Sequence, residues 1–160
     1  MKETSDPAAI RSAMQPGATV RDGFLGRDAR PVERIVSDDQ GTVEAMGLTH
    51  RAIAARMQEM QKAGENGLGA KVTVPPHFEV TVEDARGTLP CPFGHRGTFA
   101  KENVTVRNLA TGREIAFSEL QRHLIEEHGF YQGRGSPYRL EPAELAAVLE
   151  VTARPEPNRS

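Results

Sequence analysis

The segment from Cys91 to His128 begins with Cys91-Pro92-Phe93-Gly94-His95 and ends with Phe117-Ser118-Glu119-Leu120-Gln121-Arg122-His123-Leu124-Ile125-Glu126-Glu127-His128. It contains the only cysteine of the 160-residue chain and three of its five histidines. These residues form two pairs, Cys-x3-His and His-x4-His, with spacings typical of metal ligands, and structural zinc sites use four such ligands. The segment therefore predicts a zinc site formed by Cys91, His95, His123 and His128.

Each ligand pair has a local structure that suits this role. Pro92 and Gly94 favour a tight turn between the first two ligands. Ser118 followed by Gln121 is typical of a helix capping box, and Gly129 is typical of a helix C-terminus. The second pair is five residues apart, which is about 140° around an ideal helix. We therefore expect the last helical turn to loosen if both histidines bind one metal.

The segment 91–128 resembles the helical half of a two-cysteine, two-histidine zinc finger. Phe117, Leu120, His123 and His128 fall close to the aromatic, leucine, histidine, histidine pattern of that family. The resemblance implies a finger-like ββα unit held by zinc. The chain departs from the pattern because His95 replaces the second cysteine and because 27 residues (96–122) separate the ligand pairs, about twice the gap of a finger. The likeness therefore does not extend to the DNA-reading function.

Two other interpretations of the same residues remain open. Cys91 can be a small buried hydrophobe, and the histidines can be ordinary residues near a helix end. Alternatively, the zinc is catalytic, with one open coordination position and Glu126 or Glu127 as general base in a small hydrolase. The spacing His-Leu-Ile-Glu-Glu-His is one residue too long for the His-Glu-x-x-His motif of zinc proteases or its inverted form. This mismatch favours a non-catalytic zinc site.

Composition excludes several classes of protein. The net charge of −2 gives no overall attraction to nucleic acid or to anionic membranes. One cysteine excludes an internal disulfide. No segment has the features of a signal peptide or of a membrane span. These features predict a soluble cytoplasmic protein without a membrane partner.

The first part of the chain predicts helices. Asp6-Pro7 begins a short helix, and Phe24-Leu25 form an apolar plug between turns. A helix begins at Pro31 and is expected to break or kink within 37–41, because Ser37-Asp38-Asp39-Gln40-Gly41 is polar and ends in glycine. Thr49 caps a longer helix from His50 to about Ala63.

The region 43–60 also has the outline of a helix-turn-helix, because a short helix, Gly47 and a capped helix follow one another. Arg51 and Arg56 could face a phosphate backbone. Residues 1–70, however, contain nine lysines and arginines against ten acidic residues, so the region is not basic. An ordinary helical corner explains the pattern equally well.

Two hairpins precede the zinc helix. Residues 71–74 and 78–82 alternate apolar and polar side chains around Pro75-Pro76-His77, and 104–106 pair with 114–117. Residues 83–89 are expected to be a connection. His50 and His77 are expected to be ordinary residues.

The glycine-rich segment 130–140 follows the zinc helix, and its aromatic and basic residues are candidates for contact with a partner. If its aromatics do not pack on the zinc helix, it forms a binding loop for an anion, a protein or nucleic acid. The candidate partner-binding residues are Arg122, Arg134, Arg139, Tyr131 and Tyr138. A final helix starts at Glu141-Pro142.

Together these patterns predict an α+β protein. A helical N-terminal region (1–64) and a linker (65–69) precede a zinc-stapled domain rich in β-hairpins (70–151), with a flexible tail (152–160). The whole chain also resembles small bacterial cytosolic proteins of unassigned function. We expect a non-catalytic zinc-binding module that contacts protein or nucleic acid, with zinc as its cofactor.

Overall fold

The computed structural model describes residues 6–94 and 96–152. Within these ranges the chain forms five α-helices and one four-stranded antiparallel sheet, so the predicted α+β fold class is confirmed. The elements in chain order are α1 (Pro7–Ala13), α2 (Val32–Ala45), α3 (His50–Glu65), β1 (Val72–Val74), β2 (Phe78–Pro90), β3 (Thr98–Asn108), β4 (Arg113–Ser118), α4 (Glu119–His128) and α5 (Pro142–Leu149).

The four strands form one meander in the order β1-β2-β3-β4, so the two predicted hairpins belong to a single sheet. The prediction that residues 83–89 are a connection is wrong, because β2 continues to Pro90 and pairs with β3 from Glu83↔Asn103 to Pro90↔Thr98. Residues 83–88 are exposed on both faces of the sheet, so their sequence shows no alternation of apolar and polar side chains. The backbone hydrogen bonds to β3 hold this part of β2 in the sheet. The register shifts between Ala85 and Thr88.

The predicted break within 37–41 is also wrong, because α2 is continuous through these residues. The polar side chains that suggested a break have partners in the fold. Asp38 pairs with Arg34 one turn earlier, at 3.1 Å, and Asp39 is buried against Arg139, at 2.9 Å. Because these carboxylates bond to arginine side chains, they do not compete with the backbone for the hydrogen bonds of the helix.

The buried apolar side chains form two clusters. The sheet core consists mainly of residues from α3, α5 and the inner face of the sheet, and it also includes Val43 of α2, Ile125 of α4 and Tyr131. The small core lies around the N-terminal helices and one side of α4. Its buried members are Met14, Phe24, Leu25, Val32, Ile35, Cys91, Leu120, Leu124 and Phe130. The predicted apolar plug, Phe24-Leu25, is thus buried, and α4 contributes to both clusters through Ile125 and Leu124.

Among the residues that the structure describes, no helix is both long enough and apolar enough to cross a membrane.

Candidate metal centre

Cys91 lies in a tight turn directly after the last residue of β2. The Gly94 N–H donates a hydrogen bond to the Cys91 carbonyl at 3.0 Å, which closes the turn. Gly94 has a φ of +83°, a conformation that glycine adopts without steric cost. The Cys91 side chain is 4% exposed and belongs to the small core. The turn predicted from Pro92 and Gly94 is therefore present, and it directs the thiol inward.

Helix α4 has the predicted caps at both ends. The Ser118 hydroxyl accepts from the Gln121 N–H at 3.2 Å, and the Gln121 Oε1 accepts from the Ser118 N–H at 2.9 Å, which is a complete capping box. At the other end Gly129 is left-handed, with a φ of +61°. Its N–H and that of Phe130 bond to the carbonyls of Ile125 and Leu124. The local sequence therefore accounts for where this helix begins and ends.

The last turn of α4 does not loosen, contrary to the expectation from the spacing of its histidines. The helix remains α-helical through His128. The two imidazole rings of His123 and His128 nevertheless meet edge to face, with their centroids 5.3 Å apart. The side chains, and not a distortion of the backbone, bring the two rings together.

Three side chains from two separate segments converge at this place. The possible ligand atoms of Cys91, His123 and His128 all lie within 4.8 Å of one another. The Cys91 Sγ and His128 Nε2 are 3.5 Å apart. Tetrahedral zinc, with bonds of about 2.3 Å to sulfur and about 2.0 Å to nitrogen, requires a sulfur–nitrogen separation of about 3.5 Å. One thiol and two imidazoles are also ligand types that zinc prefers, so the donor set fits this metal.

Two phenylalanines pack against the histidine ligands. Phe93 stacks on His128 with a centroid distance of 4.2 Å, and Phe99 stacks on His123 at 4.1 Å. His123 is 8% exposed, whereas His128 is half-buried. Each phenyl ring thus covers one face of an imidazole. The spacing of the cysteine and histidines predicts neither phenylalanine as part of the site, although Phe93 lies inside the turn that carries Cys91.

His95, the remaining predicted ligand, lies outside the described residues. Glu126 and Glu127 lie on the same helix as the histidines, but neither belongs to the convergent group found in the described part of the chain. Glu126 forms an ion pair with Arg122 at 3.5 Å, and Glu127 is exposed. Glu126 therefore has a partner within the fold that lies outside the convergent group.

The five candidate partner-binding residues lie in different environments. Tyr131 is 1% exposed, and the Arg139 side chain is 8% exposed. The Arg122 side chain is 16% exposed and contacts Gln61 and Glu126. Arg134 is exposed, and Tyr138 is 50% exposed. Of the five, Arg134 and Tyr138 are thus the residues that the fold presents to solvent.

The corner between α2 and α3 contains the turn predicted at Gly47, whose φ is +74°, and the Thr49 cap. The inner face of α3 lies in the sheet core. Arg56 donates to the Leu149 carbonyl at 2.8 Å, whereas Arg51 is exposed. DNA reading by this helix pair stays a prediction, with Arg51 as its accessible cation.

His50 and His77 were expected to be ordinary residues, and each has a partner within the fold. The His50 Nδ1 lies 2.9 Å from the Tyr131 hydroxyl, and the buried Nε2 has no hydrogen-bond partner among the described residues. Burial lowers the pKa of His50, and it also raises the pKa of Tyr131. His77 contacts the Glu150 carboxylate at 2.7 Å. Neither histidine belongs to the convergent group of ligands in the described ranges.

Comparison with known protein families, with curated proteins and with solved structures gives no match to this chain.

Proposed function

We propose that the chain is a non-catalytic zinc-binding module that contacts protein or nucleic acid. Zinc is held by Cys91, His123 and His128, with His95 as the fourth ligand. The observation that carries the proposal is the convergence of a buried thiol and two imidazoles within 4.8 Å, from segments about thirty residues apart. The metal closes this long loop and stabilises the small core, which is modest in size.

The proposal extends to the organisation of the chain and to its location. The helical region 1–64 packs on the zinc-stapled region 70–151, and 65–69 connects them. The protein acts in the cytoplasm, where thiols are kept reduced and Cys91 remains a metal ligand.

The second candidate is a small zinc-dependent hydrolase. In catalytic zinc sites three protein ligands hold the metal and the fourth position is kept for water, and Cys91, His123 and His128 are of the types that could fill the first three positions. Glu126 or Glu127 is then the general base. Against this, Glu126 is paired with Arg122, and the phenyl rings of Phe93 and Phe99 cover two of the ligands.

Elemental analysis of purified full-length variants tests the metal site. We expect about one zinc per wild-type chain, and loss of the metal with a lower melting temperature in Cys91→Ser. His77→Ala is the matched control: it removes a histidine outside the cluster and keeps the metal. Wild-type protein that contains no zinc after preparation in zinc-containing medium would contradict the proposal.

His95→Ala separates the two candidates in the same experiment. If His95 is the fourth ligand, its removal weakens zinc binding about 10-fold or more, measured by competition with a chromogenic chelator. If zinc content, affinity and stability are all unchanged, the fourth position is open. That result, together with an activity lost in Glu126→Gln or Glu127→Gln, establishes the hydrolase instead.

A further inference from the structure

Two loops distant in sequence lie side by side on the surface that carries Arg134 and Tyr138. The Gly133 N–H donates to the Phe24 carbonyl at 2.8 Å, and the Arg27 N–H donates to the Arg134 carbonyl at 3.0 Å. The loops are so close that a Cβ atom on Gly26 would lie 2.2 Å from the Ser136 nitrogen. The fold therefore places the backbones of Arg27 and Arg134 next to one another, and both residues line the same cavity.

These two arginines are available for binding. Both are exposed, and in the described part of the chain neither guanidinium has a hydrogen bond or an ion pair. Arg30 differs, because its guanidinium contacts the carboxylates of Asp28 and Asp38. The hydrogen bond from Arg30 is the main reason why the pKa of Asp28 is strongly lowered, so this carboxylate stays charged and paired. Asp28 and Asp38 thus neutralise Arg30 and do not pair with the guanidinium of Arg27 or Arg134. A carboxylate that senses Arg134 is that of Glu141, whose pKa is lowered by the hydrogen bond from Arg139 and in part by the charge of Arg134.

The arginines border an open cavity of about 410 Å³, lined by Arg27, Asp28, Ala29, Arg30, Arg134 and Gly135. Three arginines and one aspartate give this lining a net charge of +2, although the whole chain carries −2. A guanidinium presents its N–H groups in a planar fork that fits phosphate oxygens. The cavity therefore suits a phosphate group.

An exposed aromatic ring belongs to the same loop. Tyr138 is 50% exposed and lines a second cavity, of about 350 Å³, with Arg21 and Asp22 also at its wall. Phe24, Leu89 and Leu120 also line this cavity and provide apolar surface. The Tyr138 carbonyl accepts from the Gln121 Nε2 at 2.7 Å, which anchors the backbone and leaves the ring at the surface.

The loop that carries Arg134 and Tyr138 is held in one conformation. The buried Arg139 guanidinium bonds to the Gln132 carbonyl at 2.7 Å, and the Ser136 hydroxyl donates to the Gln132 side chain at 2.9 Å. Gln132 has a φ of +76°, which is unusual for a residue other than glycine and occurs where tertiary contacts enforce it. Because the loop is already ordered, binding a ligand costs little conformational entropy.

We propose that this surface binds single-stranded nucleic acid. Arg27 and Arg134 contact phosphates of the strand, and Tyr138 stacks with an unpaired base. Cations beside an aromatic platform are the combination that single-strand binding uses, and a base within a duplex is not available for such stacking. This inference names the partner of the module proposed above and rests on that proposal.

The test measures binding of the full-length protein to a fluorescein-labelled oligothymidylate of about 20 nucleotides by fluorescence anisotropy at several salt concentrations. Each phosphate contact on a single strand contributes about 0.7 to the slope of log K against log salt concentration. We expect Arg27→Ala/Arg134→Ala to reduce this slope by about 1.4. We expect Tyr138→Ala to weaken binding about 5-fold or more without changing the slope, and Tyr138→Phe to retain the affinity.

Arg51→Ala is the matched control, because it removes an exposed arginine on α3, away from these loops. If Arg51→Ala lowers the slope by about 0.7, the amount expected for one phosphate contact, and the double loop variant does not lower it, the α2–α3 corner binds the nucleic acid and the inference is wrong. Absence of binding at low salt, or tighter binding of a duplex of the same length, also overturns it. Zinc content is measured on every sample: wild-type protein with zinc but no oligonucleotide binding refutes only this inference, and oligonucleotide binding without zinc refutes only the metal proposal.

Discussion

The Arg139 side chain is buried and surrounded by acceptors. Its guanidinium lies 2.9 Å from both carboxylate oxygens of Asp39 and 2.7 Å from the Glu141 carboxylate. The hydrogen bond from Arg139 lowers the pKa of Glu141. Asp39 is 5% exposed, so it depends on Arg139 for its charge to be tolerated inside the protein. These contacts join α2 to the loop before α5.

We expect Arg139→Met to destabilise the protein by about 3–5 kcal/mol, because the substitution leaves the buried Asp39 carboxylate without its partner. Arg134→Met is the matched control: the side chain is exposed on the same loop, and its loss changes stability by about 0.5 kcal/mol or less. Urea unfolding monitored by circular dichroism measures both. If Arg139→Met lowers the free energy of unfolding as little as Arg134→Met does, groups other than Arg139 stabilise the Asp39 carboxylate.

Tyr131 illustrates why residue type alone did not distinguish buried residues from exposed ones in the segment 130–140. A tyrosine in a glycine-rich segment is compatible with a binding loop and with a core position. The contact between its hydroxyl and His50, 81 residues earlier in the chain, favours the buried position in this fold. The same segment keeps Tyr138 at the surface, and only the packing of the two loops distinguishes them.

At the level of secondary structure, two glycines within helices have opposite surroundings. Gly41 lies in α2, and a Cβ atom at this position would have no neighbouring atom within 4 Å. Gly64 lies in α3, where a Cβ atom would be 2.6 Å from the γ-carbons of Val80 and Val82. Gly64 thus permits the close approach of α3 to the sheet, whereas Gly41 has no such role.

We expect Gly41→Ala to stabilise the protein by about 0.5–1 kcal/mol, because alanine has the higher helix propensity and the site has room for a methyl group. We expect the same substitution at Gly64 to destabilise it by about 1–3 kcal/mol through overpacking against the sheet. Thermal unfolding of the two variants beside the wild type measures the difference. A loss of stability in Gly41→Ala would contradict the continuous helix α2 described above.

The molecule as a whole consists of two packed clusters that share α4. Cys91 belongs to the small core, and the small core also contains Met14 and Phe24 from the N-terminal part of the chain. Phe93 and Phe99, which stack on His128 and His123, also pack against the small core, whereas Val104 and Val106 lie in the sheet core. A metal bound by these ligands therefore acts first on the small core.

We expect removal of zinc by a chelator to speed amide hydrogen exchange about 10-fold or more in α1, in the turn after β2 and at the end of α4. The centre of β3 should keep its protection, because its side chains pack in the sheet core. Hydrogen exchange measured by mass spectrometry tests this. Cys91→Ser without chelator should reproduce the pattern, and a uniform increase over the whole chain would show that the two cores do not unfold separately.

Short-range interactions could be predicted from the sequence. The Thr49 cap, the Ser118–Gln121 capping box and the left-handed Gly129 each involve partners within a few residues, so their patterns are visible in the chain. These caps depend on local geometry, which few tertiary contacts can override. The α+β class was predicted from the periodicity of the apolar residues. The grouping of Cys91 with the α4 histidines was predicted from residue type and spacing, but the packing of two separate segments brings it about.

The tertiary structure alone decided which polar residues are buried and how far the strands extend. Helix α2 continues through Asp39 because the side chain of this residue pairs with Arg139. The two residues are 100 positions apart in the chain. Strand β2 continues to Pro90 because β3 pairs with it, although residues 83–88 bury no apolar side chain. Arg27 and Arg134 are neighbours because two distant loops exchange backbone hydrogen bonds. Each of these features depends on a partner remote in sequence, whose position the local pattern of residues does not specify.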